Sequence, residues 1–135
     1  MILVIDGQGG NIGRQLIKMI QEALPNAEIR AVGTNSIATA NMLKGGNVDA
    51  ATGENAVIVG CRKADVIVGP VGIVIADALM GEVTPAMANA VGQSEAVRIL
   101  IPLNKCDTLI AGVNNTSTSY LMENAIEKIK NLDRK

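Results

Sequence analysis

The chain has 135 residues, of which 48% are hydrophobic and 19% charged, and its formal net charge is −1. This balance predicts one packed domain and argues against a disordered chain, while scattered basic residues and a single aromatic ring, Tyr120, argue against a nucleic-acid partner. No apolar run reaches the roughly 18 residues of a membrane helix and no export signal is recognisable, so we expect a cytoplasmic protein that has no membrane partner.

The first half of the chain predicts alternating strands and helices. Short apolar runs between turn residues are typical of strands buried in a parallel sheet, and apolar residues every three or four positions are typical of helices packed on it. The predicted elements are a strand Ile2–Ile5, a helix Asn11–Leu24, a strand Glu28–Val32, a short helix ending at Lys44, a strand Val48–Ala51 and a helix Glu54–Lys63.

The second half continues the alternation. Its predicted elements are a strand Asp65–Val68, a helical segment Ile73–Leu79, a helix Pro85–Val91 capped by Thr84, a strand Val97–Ile101, an antiparallel strand Thr108–Val113 and a last helix through Leu132. Strands that alternate with helices predict an α/β fold. We therefore expect a three-layer Rossmann-like sandwich whose sheet is mostly parallel with one antiparallel strand near the C-terminal side, and residues 1–135 forming a single Rossmann-like nucleotide-binding domain.

A glycine cluster lies between the first strand and the first helix, in the stretch "VIDGQGGNIG". Glycine allows a tight turn with positive φ and a close approach of phosphate to backbone N–H groups, and the following helix start favours negative charge. The spacing is not that of a Walker P-loop. We predict a nucleotide or dinucleotide site, with NAD or NADP as candidate cofactors, formed by Gly7, Gln8, Gly9, Gly10, Asn11, Ile12 and Gly13. The alternative is a glycine turn used only for close strand–helix packing.

The end of the second strand differs from the usual dinucleotide pattern. An acid is expected there to bind the ribose hydroxyls, but the chain has Thr34, Asn35 and Ser36. These side chains are candidates for binding a ribose or a 2′-phosphate, which leaves NADP open, and equally for capping a helix. Asp6 is a second departure, because its carboxylate would repel a phosphate unless it is turned away, bonded to backbone N–H groups or bridged by a cation.

A second candidate segment follows the fourth predicted strand. Gly69, Pro70 and Gly72 are expected at the carboxyl end of a strand beside the first one, where ligands lie in doubly wound sheets. Asp77 and Glu82 follow them, and for these two acids we favour an exposed, structural role over contact with a ligand.

The sequence assigns no catalytic residue and no metal ligand. The chain has no His, Cys61 and Cys106 form no Cys-x-x-Cys pair, and Asn124 stands where a Tyr-x-x-x-Lys pair starting at Tyr120 would need a lysine. The cysteines are interpreted as reduced and buried. The polar stretch "VNNTSTS" either caps the last helix or forms a rim that faces a ligand.

Several strings taken together resemble an uncharacterised bacterial family catalogued only as a domain of unknown function. They are "VIDGQGGNIG", "GTNSIATANMLKGG", "ATGENA", "DVIVGPVGIVIADALMGEVTPAMA" and "ILIPLN", and the resemblance covers about Met1 to Val113. It implies a short Rossmann-like protein and no particular activity. The first string is also similar to the fingerprint of extended short-chain dehydrogenases, and that similarity reaches only Gly7, Gly10 and Gly13.

These observations favour a cytoplasmic protein that binds a nucleotide, and they leave open whether it is an enzyme. A second small molecule would lie in the crevice between the glycine loop and Gly69–Gly72. Because the chain is short, a second copy in a C2 homodimer is expected to supply the wall that this crevice lacks. The alternative is a non-enzymatic sensor, or a module that binds a protein partner and uses the glycine loop only for packing.

Overall fold

A computed structural model describes residues 1–103, 107–113 and 117–133. Within them the strands are β1 (Ile2–Asp6), β2 (Ile29–Gly33), β3 (Asp49–Thr52), β4 (Val66–Pro70) and β5 (Val97–Ile101). The helices are α1 (Asn11–Ala23), α2 (Ser36–Leu43), α3 (Glu54–Lys63), α4 (Pro85–Gln93) and α5 (Thr118–Asp133), together with a 3₁₀ helix at Val71–Val74.

The described strands form one parallel sheet in the order β3-β2-β1-β4-β5. Strand β1 lies at its centre, with Val4 opposite Ala31 of β2 on one side and Val68 of β4 on the other. The chain first builds outward from β1 through β2 and β3, then crosses to the other side to add β4. The carboxyl ends of β1 and β4 therefore meet at a topological switch point, which is where ligands bind in open α/β sheets.

Helices cover both faces of the sheet, as a three-layer sandwich requires. Helices α1, α2 and α5 pack on one face, where Leu16, Met42 and Ile126 belong to one buried apolar cluster. Helices α3 and α4 and the 3₁₀ helix pack on the other, where Val57 and Met87 belong to a second cluster. The predicted Rossmann-like α/β architecture is confirmed. No helix of the described residues is both long and apolar enough to cross a membrane.

The predicted antiparallel strand Thr108–Val113 is wrong. In the described stretch 107–113 the chain forms turns and no strand. Gly112 has a φ of 85°, and the Val113 N–H donates to the Ile110 carbonyl at 3.2 Å, which closes a turn. Leu109 is 94% exposed and no residue of 107–113 is fully buried, so this stretch has no buried face that would stabilise a strand.

The predicted helical segment Ile73–Leu79 is also wrong beyond its first residues. The 3₁₀ helix ends at Val74 and a series of turns follows. Asp77, Leu79 and Met80 have φ values of 66°, 56° and 58°, which no right-handed helix accommodates. Leu79 is nevertheless buried, so the apolar pattern that suggested a helix reflects turns anchored in the core.

Candidate functional site

The glycine loop connects β1 to α1 at the carboxyl edge of the sheet. Its turn is closed by the Gly10 N–H, which donates to the Gly7 carbonyl at 3.0 Å. Gln8 and Gly10 have φ values of 50° and 75°, so the positive φ expected in this turn falls on these two residues. Gly10 is the N-cap of α1 and has no capping side chain.

Two of the glycines are in close contact with neighbouring elements. A Cβ on Gly10 would lie 2.5 Å from the Ala38 carbonyl oxygen in α2, and one on Gly13 would lie 2.9 Å from the Asp6 Cβ. These contacts bring α1 close to α2 and β1. Among the described residues, a Cβ on Gly9 would meet only the Asn11 side chain, at 3.6 Å, so this glycine faces away from the packed elements.

Asp6 lies beneath the loop and is only 3% exposed. Its two carboxylate oxygens accept hydrogen bonds from the N–H groups of Gly7 at 2.8 Å and Gly13 at 2.7 Å. Burial raises the pKa of Asp6 above its ordinary value, the hydrogen bonds from Gly13 and Gly7 oppose that rise, and the charge of Glu82 adds to it. Of the three arrangements that would keep this carboxylate from repelling a phosphate, bonding to backbone N–H groups is the one observed. Among the described residues no cluster of three acidic or cysteine side chains could hold a metal ion.

Glu82 lies above the loop, in the segment between the 3₁₀ helix and α4. Its Oε1 accepts hydrogen bonds from the Gln8 N–H at 2.8 Å, the Thr34 hydroxyl at 2.8 Å and the Asn35 side-chain amide at 2.7 Å. Burial alone would raise the pKa of Glu82, but these three hydrogen bonds together lower it below its ordinary value. The group is therefore a carboxylate near neutral pH. Contrary to the role favoured from the sequence, it belongs to the polar cluster around the loop.

The two carboxylates leave part of the loop open. The N–H groups of Gly9 and Asn11 donate to no acceptor within the described part of the chain. Gly9 and Asn11 are both exposed, and Ile12 is half-buried. This face of the loop combines free donors with the positive end of the α1 dipole.

The three polar residues after β2 have different positions. Thr34 and Asn35 contact Glu82, and Asn35 is also the N-cap of α2, where its side chain accepts from the Ala38 N–H at 2.8 Å. Ser36 is the first residue of α2 and is exposed. Capping and participation in the loop cluster are therefore combined in Asn35.

The second candidate segment, at the end of β4, does not line a ligand crevice at the carboxyl edge of the sheet. Gly69, Pro70 and Gly72 are buried, and a Cβ on Gly69 would lie 2.3 Å from the Ile5 carbonyl oxygen. Gly69 therefore serves the close approach of β4 to β1. Asp77 is exposed on the turns that follow.

Two cavities lie outside the polar cluster that Glu82, Thr34 and Asn35 form around the loop. One, of about 300 Å³, lies between the first turns of α1 and α5, where Ile12, Met19 and Met122 form part of its wall. The other, of about 830 Å³, lies between the ends of α3 and α4 and contains none of the residues that the sequence singled out as binding residues. The first cavity shares Asn11 and Ile12 with the glycine loop.

The remaining candidates for chemistry are not at the loop. Cys61 is buried in α3, and burial raises the pKa of its thiol to about 11, which leaves little reactive thiolate near neutral pH. Tyr120 is in the first turn of α5 and is 58% exposed. Cys106 and the central residues of "VNNTSTS", 114–116, lie outside the described residues.

The fold and the loop define a class of protein: a doubly wound α/β protein that has a glycine-rich turn beside its switch point. A family model described as "Domain of unknown function (DUF3842)" matches residues 1–134, and the chain belongs to that family. The resemblance to an uncharacterised family is thereby confirmed. No curated protein and no solved structure matches the chain.

Proposed function

We propose that the protein binds a nucleotide or dinucleotide, with its phosphate groups on the open face of the glycine loop. The observation that carries this proposal is the pair of N–H groups of Gly9 and Asn11, which have no acceptor among the described residues and lie at the start of α1, beside the switch point of the sheet. Backbone donors at a helix N-terminus that follows a glycine turn are the usual means by which this class of fold binds phosphate.

The charges around the loop limit where a phosphate fits. Asp6 and Glu82 occupy the N–H groups of Gly7, Gln8 and Gly13, so a phosphate is excluded from those donors. On the side of Gly9 and Asn11, no carboxylate of the described residues is hydrogen-bonded to either residue, so none opposes the α1 dipole there. The proposed site is therefore smaller than the whole Gly7–Gly13 loop.

A second candidate function is supported by the tight packing of the same loop. Gly10 and Gly13 have close-contact roles that explain their presence without a ligand. Under this alternative the protein is a non-enzymatic module that binds a protein partner.

A binding experiment distinguishes the two functions. We expect one of NAD, NADH, NADP, NADPH, ADP or ATP to raise the melting temperature of the purified protein by several degrees, because a ligand at about 100 times its dissociation constant stabilises a protein by about 2.7 kcal/mol. In Gly9→Ala the added methyl group faces the proposed phosphate, so the same ligand should bind at least about tenfold more weakly, a loss of about 1.4 kcal/mol.

The matched control is Gly92→Ala, in α4. A Cβ there meets no atom of the described chain within 4 Å, so this variant should fold and bind as the unchanged protein does. An absence of any shift across the panel, or a shift that Gly9→Ala leaves intact, would contradict the proposed site. The first result would favour the partner-binding function.

We also propose that the protein acts as a homodimer whose second copy covers the carboxyl edge of the sheet. Several large apolar side chains are exposed at elements of this edge: Ile37, Met80, Leu109 and Tyr120. Large apolar side chains exposed at one edge of a sheet are suited to an interaction site. Sedimentation equilibrium should give twice the 14.0 kDa mass of the chain, and Met80→Glu should shift the molecule to the monomer. A monomer at all concentrations would contradict this proposal.

Cytoplasmic location, and the choice between an enzyme and a sensor, stay predictions.

A further inference from the structure

The sequence lacks the acid that usually ends the second strand of a dinucleotide-binding sheet. That acid hydrogen-bonds the ribose 2′-hydroxyl and disfavours a phosphate at the same position. Here β2 ends at Gly33 and is followed by Thr34, Asn35 and Ser36. A carboxylate is nevertheless present in space, because Glu82 Oε1 lies 2.8 Å from the Thr34 hydroxyl and 2.7 Å from the Asn35 side-chain amide.

The segment that carries Glu82 is anchored, so the carboxylate has a defined position. Ala78, Leu79 and Val83 around it are buried in the core. The side chain of Leu79 also lies against Gly7, where an added Cβ would be 2.8 Å from its Cδ1. The left-handed φ values of Asp77, Leu79 and Met80 are unfavourable for residues with a Cβ, and the buried contacts hold the segment in that conformation.

One oxygen of this carboxylate is available to a ligand. Three donors converge on Oε1, whereas Oε2 accepts no hydrogen bond from the described residues. No lysine or arginine in that part of the chain forms an ion pair with Glu82. Oε2 of Glu82 can therefore accept a hydrogen bond from a hydroxyl group of a ligand. No cation of the described residues is paired with Glu82, so none would balance the charge of a 2′-phosphate placed beside it.

We infer that Glu82 replaces the missing second-strand acid, so that it accepts a hydrogen bond from a ribose hydroxyl and selects nucleotides with a free 2′-hydroxyl over 2′-phosphorylated ones. NAD and ADP belong to the favoured class, and NADP belongs to the rejected one. This inference rests on the proposed nucleotide-binding function and narrows its ligand class.

The test compares NAD with NADP by isothermal titration calorimetry at pH 7.5. The unchanged protein should bind NAD at least about tenfold more tightly, since a like charge placed against Glu82 is repelled. In Glu82→Gln the NAD affinity should fall and the NADP affinity should rise, which brings the two within about threefold. Gln can still accept from Gln8 and Thr34, so the segment should keep its conformation.

Glu54→Gln is the matched control, because it removes an equal charge from the same edge of the sheet. Glu54 is exposed and accepts from the Thr84 hydroxyl at 2.6 Å, away from the loop cluster. The Glu54→Gln variant should keep the preference for NAD over NADP that the unchanged protein shows. A preference that survives in Glu82→Gln, or that is equally lost in Glu54→Gln, would overturn the inference.

The unchanged protein supplies a test that does not depend on the folding of any variant. Equal affinities for NAD and NADP would overturn the role of Glu82 while leaving nucleotide binding in place. No binding of NAD, NADP or ADP would overturn the proposed function, and the role of Glu82 with it. Tighter binding of NAD alone supports both.

Discussion

Replacing Gly10 by alanine is expected to lower the free energy of unfolding by about 3 kcal/mol or more, because a left-handed φ costs a residue with a Cβ about 1–2 kcal/mol and overpacking costs about 1–3 kcal/mol. Both penalties apply here. Gly10 has a φ of 75°, and its Cβ would lie 2.5 Å from the carbonyl oxygen and 2.8 Å from the Cα of Ala38. Both contacts are with backbone, so no side chain can rotate away. Urea denaturation followed by circular dichroism measures the loss.

Gly9→Ala is the control for this measurement, one residue earlier in the same loop. Its Cβ faces open space and its φ lies outside the left-handed range, so the change should stay within about 0.5 kcal/mol. Similar losses for the two variants would show that the contact with α2 is not what restricts Gly10. The difference matters for function, since weaker ligand binding in a Gly10 variant would not separate binding from folding.

Replacing Asp6 by alanine should lower the free energy of unfolding by about 2–4 kcal/mol, because each buried N–H group left without an acceptor costs about 1–3 kcal/mol. The N–H groups of Gly7 and Gly13 both lose their acceptor. Relief from burying a charge keeps the loss below the sum of two full penalties. The exposed Asp49→Asn, on the edge strand β3, serves as the control and should change stability by less than about 0.5 kcal/mol. A loss of that small size for Asp6→Ala would contradict the role given to this carboxylate.

The Asp6 carboxylate also predicts a pH dependence of definite sign. Its pKa is raised in the folded protein above the ordinary value of 3.8, so the folded state binds this proton more tightly than the unfolded chain does. Its contribution to stability is therefore complete below about pH 4 and is lost as the pH rises through the folded pKa. The stability difference between the unchanged protein and Asp6→Asn should decrease over that range.

The contribution of Glu82 to stability depends on pH with the opposite sign. Its pKa is lowered in the folded protein, so its contribution is present above its ordinary value of 4.5 and is lost as the pH falls through the folded pKa. Because Glu82 is present in both proteins of the comparison, its contribution largely cancels. If the stability difference between the unchanged protein and Asp6→Asn instead increased with rising pH, hydrogen bonding would outweigh burial in setting the pKa of Asp6.

Local patterns in the sequence predicted most of the fold and one part of the candidate site. The strand–glycine–helix order located the loop, and the chemistry of Asp6 restricted it to a few arrangements, of which backbone bonding is the one found. Capping by Thr84 was predicted from residue type and is confirmed. Capping was one of two roles left open for Thr34, Asn35 and Ser36, and of these three Asn35 is the N-cap of α2. Each of these features depends on residues close together in the chain.

The features that the sequence did not predict depend on distant residues. Glu82 reaches Gln8 across 74 positions, and nothing in its own surroundings distinguishes it from an exposed acid. The conformation of Leu79 is fixed by contacts with the core rather than by its neighbours, and the apolar pattern there suggested a helix. The stretch Thr108–Val113 was predicted as an antiparallel strand, whereas the partner strand and the buried face that a strand needs are not found in the described part of the chain.

Strand β1 has a consequence for how the molecule unfolds. Its side chains alternate between the two apolar clusters, with Ile2 and Val4 in the cluster under α1 and α5, and Leu3 and Ile5 in the cluster under α3 and α4. Neither layer can lose its helices without exposing a strand that the other layer also needs. Melting is therefore expected to be all-or-none, so that a loss of stability caused by one residue of the loop is felt equally by the helices farthest from it.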